Sequence, residues 1–278
     1  MKKTVPFLFM VSVLTLQLSA KLQAGTYEDA VRASNPLAFF ELEETSGTLL
    51  VNSISPGTYD GTYGSGVTMN LASPSFAGVS NPSVSVSSTE DGLMSVTIPS
   101  LGPTSSFSIE LLVKSDVPSS SAALFSKGIR DDKLLTVGVL DGGYGAEAGK
   151  LYLAPNGPYT ASSHTMNGEW IHLVMTYDAA NTIVNLYSNG NLVLGDLNVG
   201  DAGETAATFT FGQRLSEFPL LATASYSNIA IYDYILDSSA VNDHWQAIPE
   251  PGTSAFLGAG GVVLLGMLRK LQPLSVRK

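Results

Sequence analysis

Carboxylate side chains are the groups in this sequence that could perform glycoside hydrolysis, and only one pair has a suitable local spacing. A retaining glycosidase holds its acid and its nucleophile about 5–5.5 Å apart. Glu41 and Glu43 alternate along the chain, which would put both on the same side of a strand. Glu110 is the one acid of the run 107–114, with no second carboxylate two residues away. The sequence therefore predicts no enzymatic activity, while acids brought together from distant strands remain an open alternative.

The histidines, serines and cysteines indicate no further catalytic chemistry. The histidines lack the paired spacing of a zinc site, and the serines have no neighbouring His or Asp in a nucleophile motif. His172 lies within an apolar run and is interpreted as a hydrogen-bonded sheet histidine. We expect His244 in a surface helix beside Trp245, and His164 in a serine-rich loop. The chain has no cysteine, which excludes disulfides, thiolate zinc sites and thiol nucleophiles.

Calcium is the metal that the acidic loops suit best, because it takes oxygen ligands from Asp, Asn and backbone carbonyl groups. Each candidate also has an interpretation without metal. Asp178 would form an Asx turn that closes a hairpin, and the adjacent acids at 131–132 would form a solvated turn. No EF-hand loop occurs in the sequence. The calcium candidates are Asp131, Asp132, Asp178 and Asn181, with Asp141 and Asp201 as further acids of the right type.

Charge is distributed unevenly along the chain. The 278 residues have a formal net charge of −10, but the stretch 25–249 has 7 basic and 23 acidic residues and so a net charge of −16. The other basic residues lie in the two terminal segments. Nucleic-acid phosphates require Lys and Arg, so we expect no nucleic-acid partner. An acidic domain suits divalent cations or simply keeps the protein soluble.

Short strand-like runs dominate the interior. In the run 107–114, residues 107, 109, 111 and 113 are apolar and would share one face. Asn189-Gly190 between two such runs predicts a hairpin, because both residues tolerate positive φ. Only two helices are predicted, Tyr27–Ala33 and Asp237–Gln246, the second with Asp237 as its N-cap. This pattern predicts an all-β antiparallel sandwich or jelly roll. The other predicted strands are Leu134–Leu140, Leu151–Ala154, Trp170–Tyr177, Thr182–Tyr187, Leu192–Leu194, Ala207–Phe211 and Asn228–Tyr234.

Several of these runs carry an ordered motif. Trp170-Ile171-His172-Leu173-Val174 is followed by Thr176-Tyr177-Asp178 and then by Leu186-Tyr187-Ser188-Asn189-Gly190. This order resembles the core of LamG-like domains of the concanavalin A-like lectin/glucanase superfamily. Further similar segments are Ala38–Gly47, Phe107–Lys114, Leu124–Gly128 and Ala230–Asp233, so that the resemblance covers about Tyr27–Ala247. The sequence departs from the family at Leu112, where Trp is usual, and at Ser227-Asn228, where Asp-Glu is common.

The resemblance implies one jelly-roll domain over residues 25–247, with Trp170 buried between its sheets. It also implies a non-catalytic module that binds polysaccharide or a surface polymer. A structural matrix protein without a discrete ligand and a glycan hydrolase of the same superfamily are the alternatives. Glu41 and Glu43 fall in the opening motif, where the family has ordinary surface acids. The aromatic candidates for stacking on sugars are Tyr144, Tyr152 and Tyr159.

The N-terminal segment has the three parts of a secretory signal peptide. Lys2 and Lys3 precede an apolar run over 5–18, and small residues follow at Ala20 and Ala24. We therefore predict a signal peptide at 1–24 and export of the protein.

The C-terminal segment, 248–278, combines a proline-bracketed glutamate, an uncharged apolar run over about 253–268 and a basic end. It resembles the PEP-CTERM sorting signal of Gram-negative bacteria. The resemblance implies a single transmembrane helix, membrane association before processing, and an exosortase as partner. The protein would then reside in the cell envelope, at the surface or outside the cell. The residues that match the signal are Pro249, Glu250, Pro251, Arg269 and Lys270.

Overall fold

The computed structural model describes residues 26–248, apart from 77–78, 80, 88–90, 103, 129–134, 156–157, 201–207 and 214–219. The described helices are α1 (Tyr27–Ala33) and α2 (Ser238–Gln246), and a 3₁₀ segment covers Gly142–Glu147. The described strands are β1 (Ala38–Phe40), β2 (Leu49–Leu50), β3 (Gly61–Tyr63), β4 (Thr68–Leu71), β5 (Ser83–Val86), β6 (Met94–Thr97), β7 (Phe107–Ser115), β8 (Ala122–Lys127), β9 (Leu135–Val139), β10 (Lys150–Pro155), β11 (Thr160–Thr165), β12 (Trp170–Asp178), β13 (Ile183–Ser188), β14 (Asn191–Asn198), β15 (Thr208–Phe211) and β16 (Ala224–Tyr232).

These strands form two antiparallel sheets, which confirms the prediction of an all-β sandwich. Sheet 1 has the order β14-β13-β12-β7-β16-β5-β4, with β1 also paired to β16. Sheet 2 has the order β11-β10-β9-β8-β15-β6-β3-β2. The predicted hairpin joins β13 to β14, where Asn189 and Gly190 have φ values of 51° and 75°. Only residues that tolerate positive φ fit such a two-residue turn.

The main core lies between the sheets, and strand alternation decides which side chains enter it. Phe107, Ile109, Leu111 and Val113 of β7 point into this core, as predicted. On β12, the residues at 171, 173, 175 and 177 do the same. Even-numbered residues of both strands therefore face outwards from sheet 1.

A second apolar cluster lies on the outer face of sheet 1, beneath the two helices. Tyr27 and Val31 of α1 and Val241 of α2 pack there against Leu112 and Val174. Both helices begin after a capping side chain, and the cap of α2 is the predicted one. The Thr26 side chain accepts a hydrogen bond from the Asp29 amide, and Asp237 caps α2 by accepting one from the amide of residue 240. Capping satisfies amides that have no partner within the helix.

Two local predictions are wrong. The predicted strand Asn228–Tyr234 is β16, which begins four residues earlier and contains a register shift between Ser227 and Ala230. Asn228 has a φ of 51° at this irregularity, which breaks the alternation between the core residues Tyr226 and Ile229. The serine-rich segment around His164 is a strand, β11, rather than a loop.

The prediction that Trp170 is buried between the sheets is also wrong. It is half-buried on the outer face of sheet 1 and packs against the cluster beneath the helices, not between the sheets. The neighbouring Ile171 takes the inward position. Because successive residues of a strand point to opposite faces, only one of these two could enter the core.

The terminal predictions fall outside the described residues. They comprise the signal peptide at 1–24, the sorting motif that begins at Pro249 and the apolar run at 253–268. Neither described helix has the length and apolar composition that a bilayer span requires.

Candidate functional site

A buried carboxylate on the outer face of sheet 1 is the centre of the most polar cluster in the described part of the chain. Glu110 projects from β7 and is fully buried. His172 Nε2 lies 2.7 Å from Glu110 Oε1. Tyr232 donates its hydroxyl hydrogen to Glu110 Oε2 at 2.7 Å. His244 Nδ1 lies 3.0 Å and 2.9 Å from the two oxygens. Strands β7, β12 and β16 and helix α2 thus converge on one carboxylate.

The electrostatics of the cluster favour an ion pair between Glu110 and His244. Burial alone would raise the pKa of Glu110, but the hydrogen bonds from His172 and His244 and the imidazole charges hold it well below its usual range. Burial would lower the pKa of His244, but its hydrogen bond to Glu110 and the charges of Glu110 and Asp243 raise it. Ser34 Oγ lies 2.9 Å from His244 Nε2, so both ring nitrogens have a partner.

His172 is held differently. Its Nδ1 is buried without a hydrogen-bond partner, whereas Nε2 faces Glu110. The hydrogen that His172 donates therefore resides on Nε2. The Tyr27 ring stands edge-on to the imidazole, with ring centroids 5.8 Å apart, and Trp245 stacks on it at 6.3 Å. The prediction of a hydrogen-bonded sheet histidine is confirmed.

This cluster fastens the helices to sheet 1 and is closed to a substrate. Both Glu110 oxygens have protein partners, and the side chains of His172 and His244 are 0% and 3% exposed. The expectation that His244 lies on the surface is wrong, because the helix turns it inwards. Its spacing of three residues from the buried Val241 is the signal that could have shown this.

The acid pair that the sequence singled out is not an alternating pair on a strand. β1 ends at Phe40, and Leu42 between the two acids is buried with a φ of 60°. Glu41 forms an ion pair with Arg32 at 2.5 Å, while Glu43 is exposed. The expectation that both acids lie on the same side of a strand is therefore wrong, and Glu41 is already engaged by a cation.

Two described calcium candidates, Asp178 and Asn181, lie at the turn between β12 and β13. Asp178 Oδ1 accepts hydrogen bonds from the amides of Ala180 at 2.9 Å and Asn181 at 3.3 Å. The Asn181 side chain donates to Asp178 Oδ2 at 2.7 Å. This is the predicted Asx turn. The acids at 131, 132 and 201 lie outside the described residues, and within the described ones no group of three or more acids and histidines could hold a metal. Calcium binding stays a prediction.

Three tyrosines form an aromatic cluster on the outer face of sheet 2. Tyr152 lies on β10 between two core-facing leucines and therefore points outwards. Tyr159, just before β11, has its ring centroid 6.0 Å from that of Tyr152. Tyr144 lies 5.2 Å from Tyr159 with the two rings perpendicular. We call Tyr144, Tyr152 and Tyr159 the tyrosine cluster.

Local backbone features place these rings. Tyr152 pairs with Gly138 of β9, and a Cβ at Gly138 would lie 2.7 Å from the tyrosine ring, so only glycine lets the ring lie there. Asp141 caps the 3₁₀ segment that carries Tyr144, accepting from the Gly143 amide at 2.7 Å. The other oxygen of Asp141 accepts from the amide and the hydroxyl of Ser121, both at 2.9 Å. The segment is thereby tied to the start of β8.

Exposure increases from the sheet towards solvent across the cluster. Tyr152 is 3% exposed, Tyr159 is half-buried and Tyr144 is 41% exposed. The Tyr159 hydroxyl donates to Glu147 Oε2 at 3.1 Å. Partial burial, followed by the hydrogen bond and charge of Glu147, raises the pKa of Tyr159, so its hydroxyl stays protonated. The cluster offers aromatic surface with one carboxylate at its edge.

Hydroxyl groups occupy other outward positions of sheet 2. Thr62 and Ser95 lie opposite each other with their oxygens 3.0 Å apart, as do Thr97 and Thr208. Ser126 and Thr210 form a third pair at 2.7 Å, which is buried. An aromatic and hydroxyl-bearing face suits a neutral, hydrogen-bonding ligand better than an ionic one.

Two clefts open elsewhere on the described surface. One of about 440 Å³ is lined by the β7–β8 connection and the segment before β16. The other, of about 330 Å³, has the half-buried rings of Phe76 and Trp170 between Lys114 and Glu169. Neither cleft includes a residue of the tyrosine cluster or Glu110. Neither has two acids among its lining residues.

A sequence profile of the concanavalin A-like lectin/glucanases superfamily matches residues 88–242, more than half of the chain. The chain belongs to this superfamily. The match includes β7, β12, the β13–β14 hairpin and most of α2, the segments in which the sequence resembles LamG-like domains. No curated protein matches the chain in sequence.

Solved structures similar to this member of the superfamily share its fold. A Trypanosoma rangeli sialidase in complex with sialic acid is 13% identical, with a TM-score of 0.59 over 76% of this chain and 33% of the sialidase. The binding domain of botulinum neurotoxin serotype G is 13% identical, with a TM-score of 0.55 over 76% of this chain and 51% of that domain. The chain thus spans about a third to a half of these structures, and at this identity they indicate the fold alone.

Proposed function

We propose that this protein is a non-catalytic module that binds polysaccharide through the tyrosine cluster on sheet 2. The observation that carries the proposal is the contact of three tyrosine rings, with centroids 5.2 Å and 6.0 Å apart, on a face that no described helix covers. Sugar rings present C–H groups that pack on aromatic faces, while their hydroxyls need hydrogen-bonding partners. Tyrosine provides both at low conformational cost.

The arrangement of acids supports binding without cleavage. A retaining glycosidase requires two carboxylates about 5–5.5 Å apart, one of them protonated and one ionised. Glu110 is enclosed by histidines and Tyr232, and Glu41 is paired with Arg32. At the tyrosine cluster, Glu147 contacts a tyrosine hydroxyl, while the carboxylate of Asp141 is held by Gly143 and Ser121. The hydrolase alternative would need two other acids to converge on one site.

The terminal segments support a proposal about location. From their sequence alone, we propose that the protein is exported by the segment 1–24 and sorted by an exosortase that recognises Pro249, Glu250 and Pro251. A module that binds polysaccharide would then act in the envelope or in the extracellular matrix.

Glycan-array binding of the full-length protein, purified in mild detergent, tests the proposed function. Tyr144→Ala should weaken binding of the glycan that binds best by at least about fivefold, the loss typical of an aromatic contact at an interface. Tyr234→Ala is the matched control, because Tyr234 is 38% exposed against 41% for Tyr144 but lies beside α1. Equal losses in both variants, or release of reducing ends from the bound glycan, would contradict the proposal.

A further inference from the structure

We infer that the tyrosine cluster accepts uncharged glycans and rejects glycans that carry carboxylates. This inference rests on the proposed function and specifies its ligand class. The observation behind it is the position of Glu147, whose Oε2 accepts the hydroxyl hydrogen of Tyr159 at 3.1 Å. A carboxylate is thereby held at the edge of the central ring of the cluster. An acidic sugar that packs on this ring would approach a like charge.

A second carboxylate, that of Asp141, lies at the start of the 3₁₀ segment. Asp141 precedes Tyr144 by three residues and accepts hydrogen bonds from Gly143 and Ser121. These bonds favour its ionised form. Among the described residues, Lys150 is the one cation that shares an outward face with the cluster, two residues before Tyr152 on β10. The described charges at this part of the face, two acids and one lysine, are therefore net negative.

The other described cations lie elsewhere. Arg32 is the one arginine in the described part of the chain, and it pairs with Glu41 beside α1. Lys114 lies on the outer face of sheet 1, where its strand partner is Trp170. Lys127 is 1% exposed, with its Nζ 5.5 Å from the centre of the Phe107 ring. Carboxylate recognition usually relies on the guanidinium fork of arginine, because its geometry matches the two carboxylate oxygens. No described arginine reaches the cluster.

The ligand preference therefore separates this chain from structures that share only its fold. The Trypanosoma rangeli sialidase binds sialic acid, which carries a carboxylate. The charges at the tyrosine cluster oppose such a ligand. Like charges a few ångströms apart in a partly solvated site lower affinity severalfold, and salt weakens the effect by screening.

Paired glycans that differ only by acidic groups test the inference on the full-length protein. The probes are the methyl ester of sialyllactose with sialyllactose, methyl-esterified polygalacturonate with polygalacturonate, and a soluble glucan with its carboxymethyl derivative. We expect the neutral member of a bound pair to bind at least about threefold more tightly at low salt. The difference should shrink between about 0.05 M and about 0.5 M salt. Glu147→Gln should also reduce it, because the amide keeps an acceptor for Tyr159 and removes the charge. Asp233→Asn, which removes an exposed charge near the helices, should leave the difference unchanged.

The outcomes separate the inference from the function on which it rests. Binding of an acidic member as tightly as its neutral partner, with loss of binding in Tyr144→Ala, would overturn the inference and leave the proposed function standing. A neutral preference that Glu147→Gln and salt do not change would also overturn it. Failure of every neutral and acidic probe to bind would overturn the proposed function itself.

Discussion

The outer faces of the two sheets contrast in what their polar and aromatic residues do. Sheet 1 carries Glu110 and His172, which His244 of α2 joins from above; these are the residue types of general acid–base catalysis, but the two helices cover them. Sheet 2 carries tyrosines and hydroxyls, with Tyr144 open to solvent. Solvent accessibility, rather than residue type, therefore decides which of these side chains a ligand could contact. The acid and the histidines on the side of sheet 1 are enclosed by protein, whereas the aromatic surface on the side of sheet 2 is partly open to solvent.

The buried charge of Glu110 connects sheet 1 to both helices. The cluster links β7 to α2 through His244, and His244 links onward to Ser34 at the end of α1. A buried ion pair contributes little compared with apolar packing, but loss of one partner is costly, because the other is left charged and without its counterion. The pair therefore makes the position of both helices depend on one carboxylate.

Removal of the Glu110 charge should lower the free energy of unfolding more than the other substitutions. A small effect would contradict the structural role given to the outer face of sheet 1. Glu110→Gln leaves His172 and His244 facing a neutral amide in a buried site, so we expect a loss of about 3–5 kcal/mol in the free energy of unfolding. Urea unfolding monitored by tryptophan fluorescence measures it. Glu169→Gln, at an exposed position, is the control and should change stability by less than about 0.5 kcal/mol. A small effect of both substitutions would show that the cluster is not structural.

Adjacent substitutions on β12 test which side chains face the core. Ile171→Ala should cost about 2–5 kcal/mol, since Ile171 is 3% exposed between the sheets. Trp170→Ala should cost less, about 1–2 kcal/mol, because its ring is only half-buried on the outer face. The same unfolding measurement compares them. The reverse order would mean that the strand is shifted by one residue.

The contribution of the Glu110–His244 pair to stability should depend on pH, and this effect should be smaller than those of the substitutions above. The pKa of Glu110 is lowered in the fold, so its contribution is present above the unfolded value of about 4.3 and is lost as pH falls through the folded value. The pKa of His244 is raised, so its contribution is complete below about 6.5 and is lost as pH rises through the folded value. The pair should therefore stabilise the fold most between about pH 4.3 and 6.5.

The measurement is the difference in unfolding free energy between the wild type and His244→Gln over a pH series. The other titratable groups that face the pair, His172, Tyr232, Tyr27 and Asp243, are common to both proteins, so the difference reports the Glu110–His244 pair. We expect this difference to decrease above about pH 6.5. A difference that increases with pH would contradict the sign assigned to the shift.

The sequence allowed the fold to be predicted where local patterns decide it. Alternation on β7 identified its core face, Asn189-Gly190 identified a hairpin, and Asp237 identified the start of α2. These features depend on neighbours within a few residues. The start of β16 was missed because its irregularity at Asn228 depends on the pairing with β7.

The candidate site was less predictable, because it depends on contacts between distant residues. The three tyrosines were identified by type, but their contact depends on how the 3₁₀ segment and the start of β11 fold over β10. Glu110 and His244 are 134 residues apart in sequence, and only helix packing brings them together. No local pattern distinguishes such a buried histidine from an exposed one unless the spacing from Val241 is considered.

Mapping a bound glycan by NMR tests the central claim most directly. The neutral glycan that binds best would be titrated into the ¹⁵N-labelled full-length protein, and changes in amide chemical shift would be followed. We expect the largest changes in amide chemical shift at Tyr144, Glu147 and Tyr159, with little change at Glu110, His172 and His244. Changes centred on the sheet 1 side, at the helices or around Trp170, would contradict the assignment of ligand binding to sheet 2.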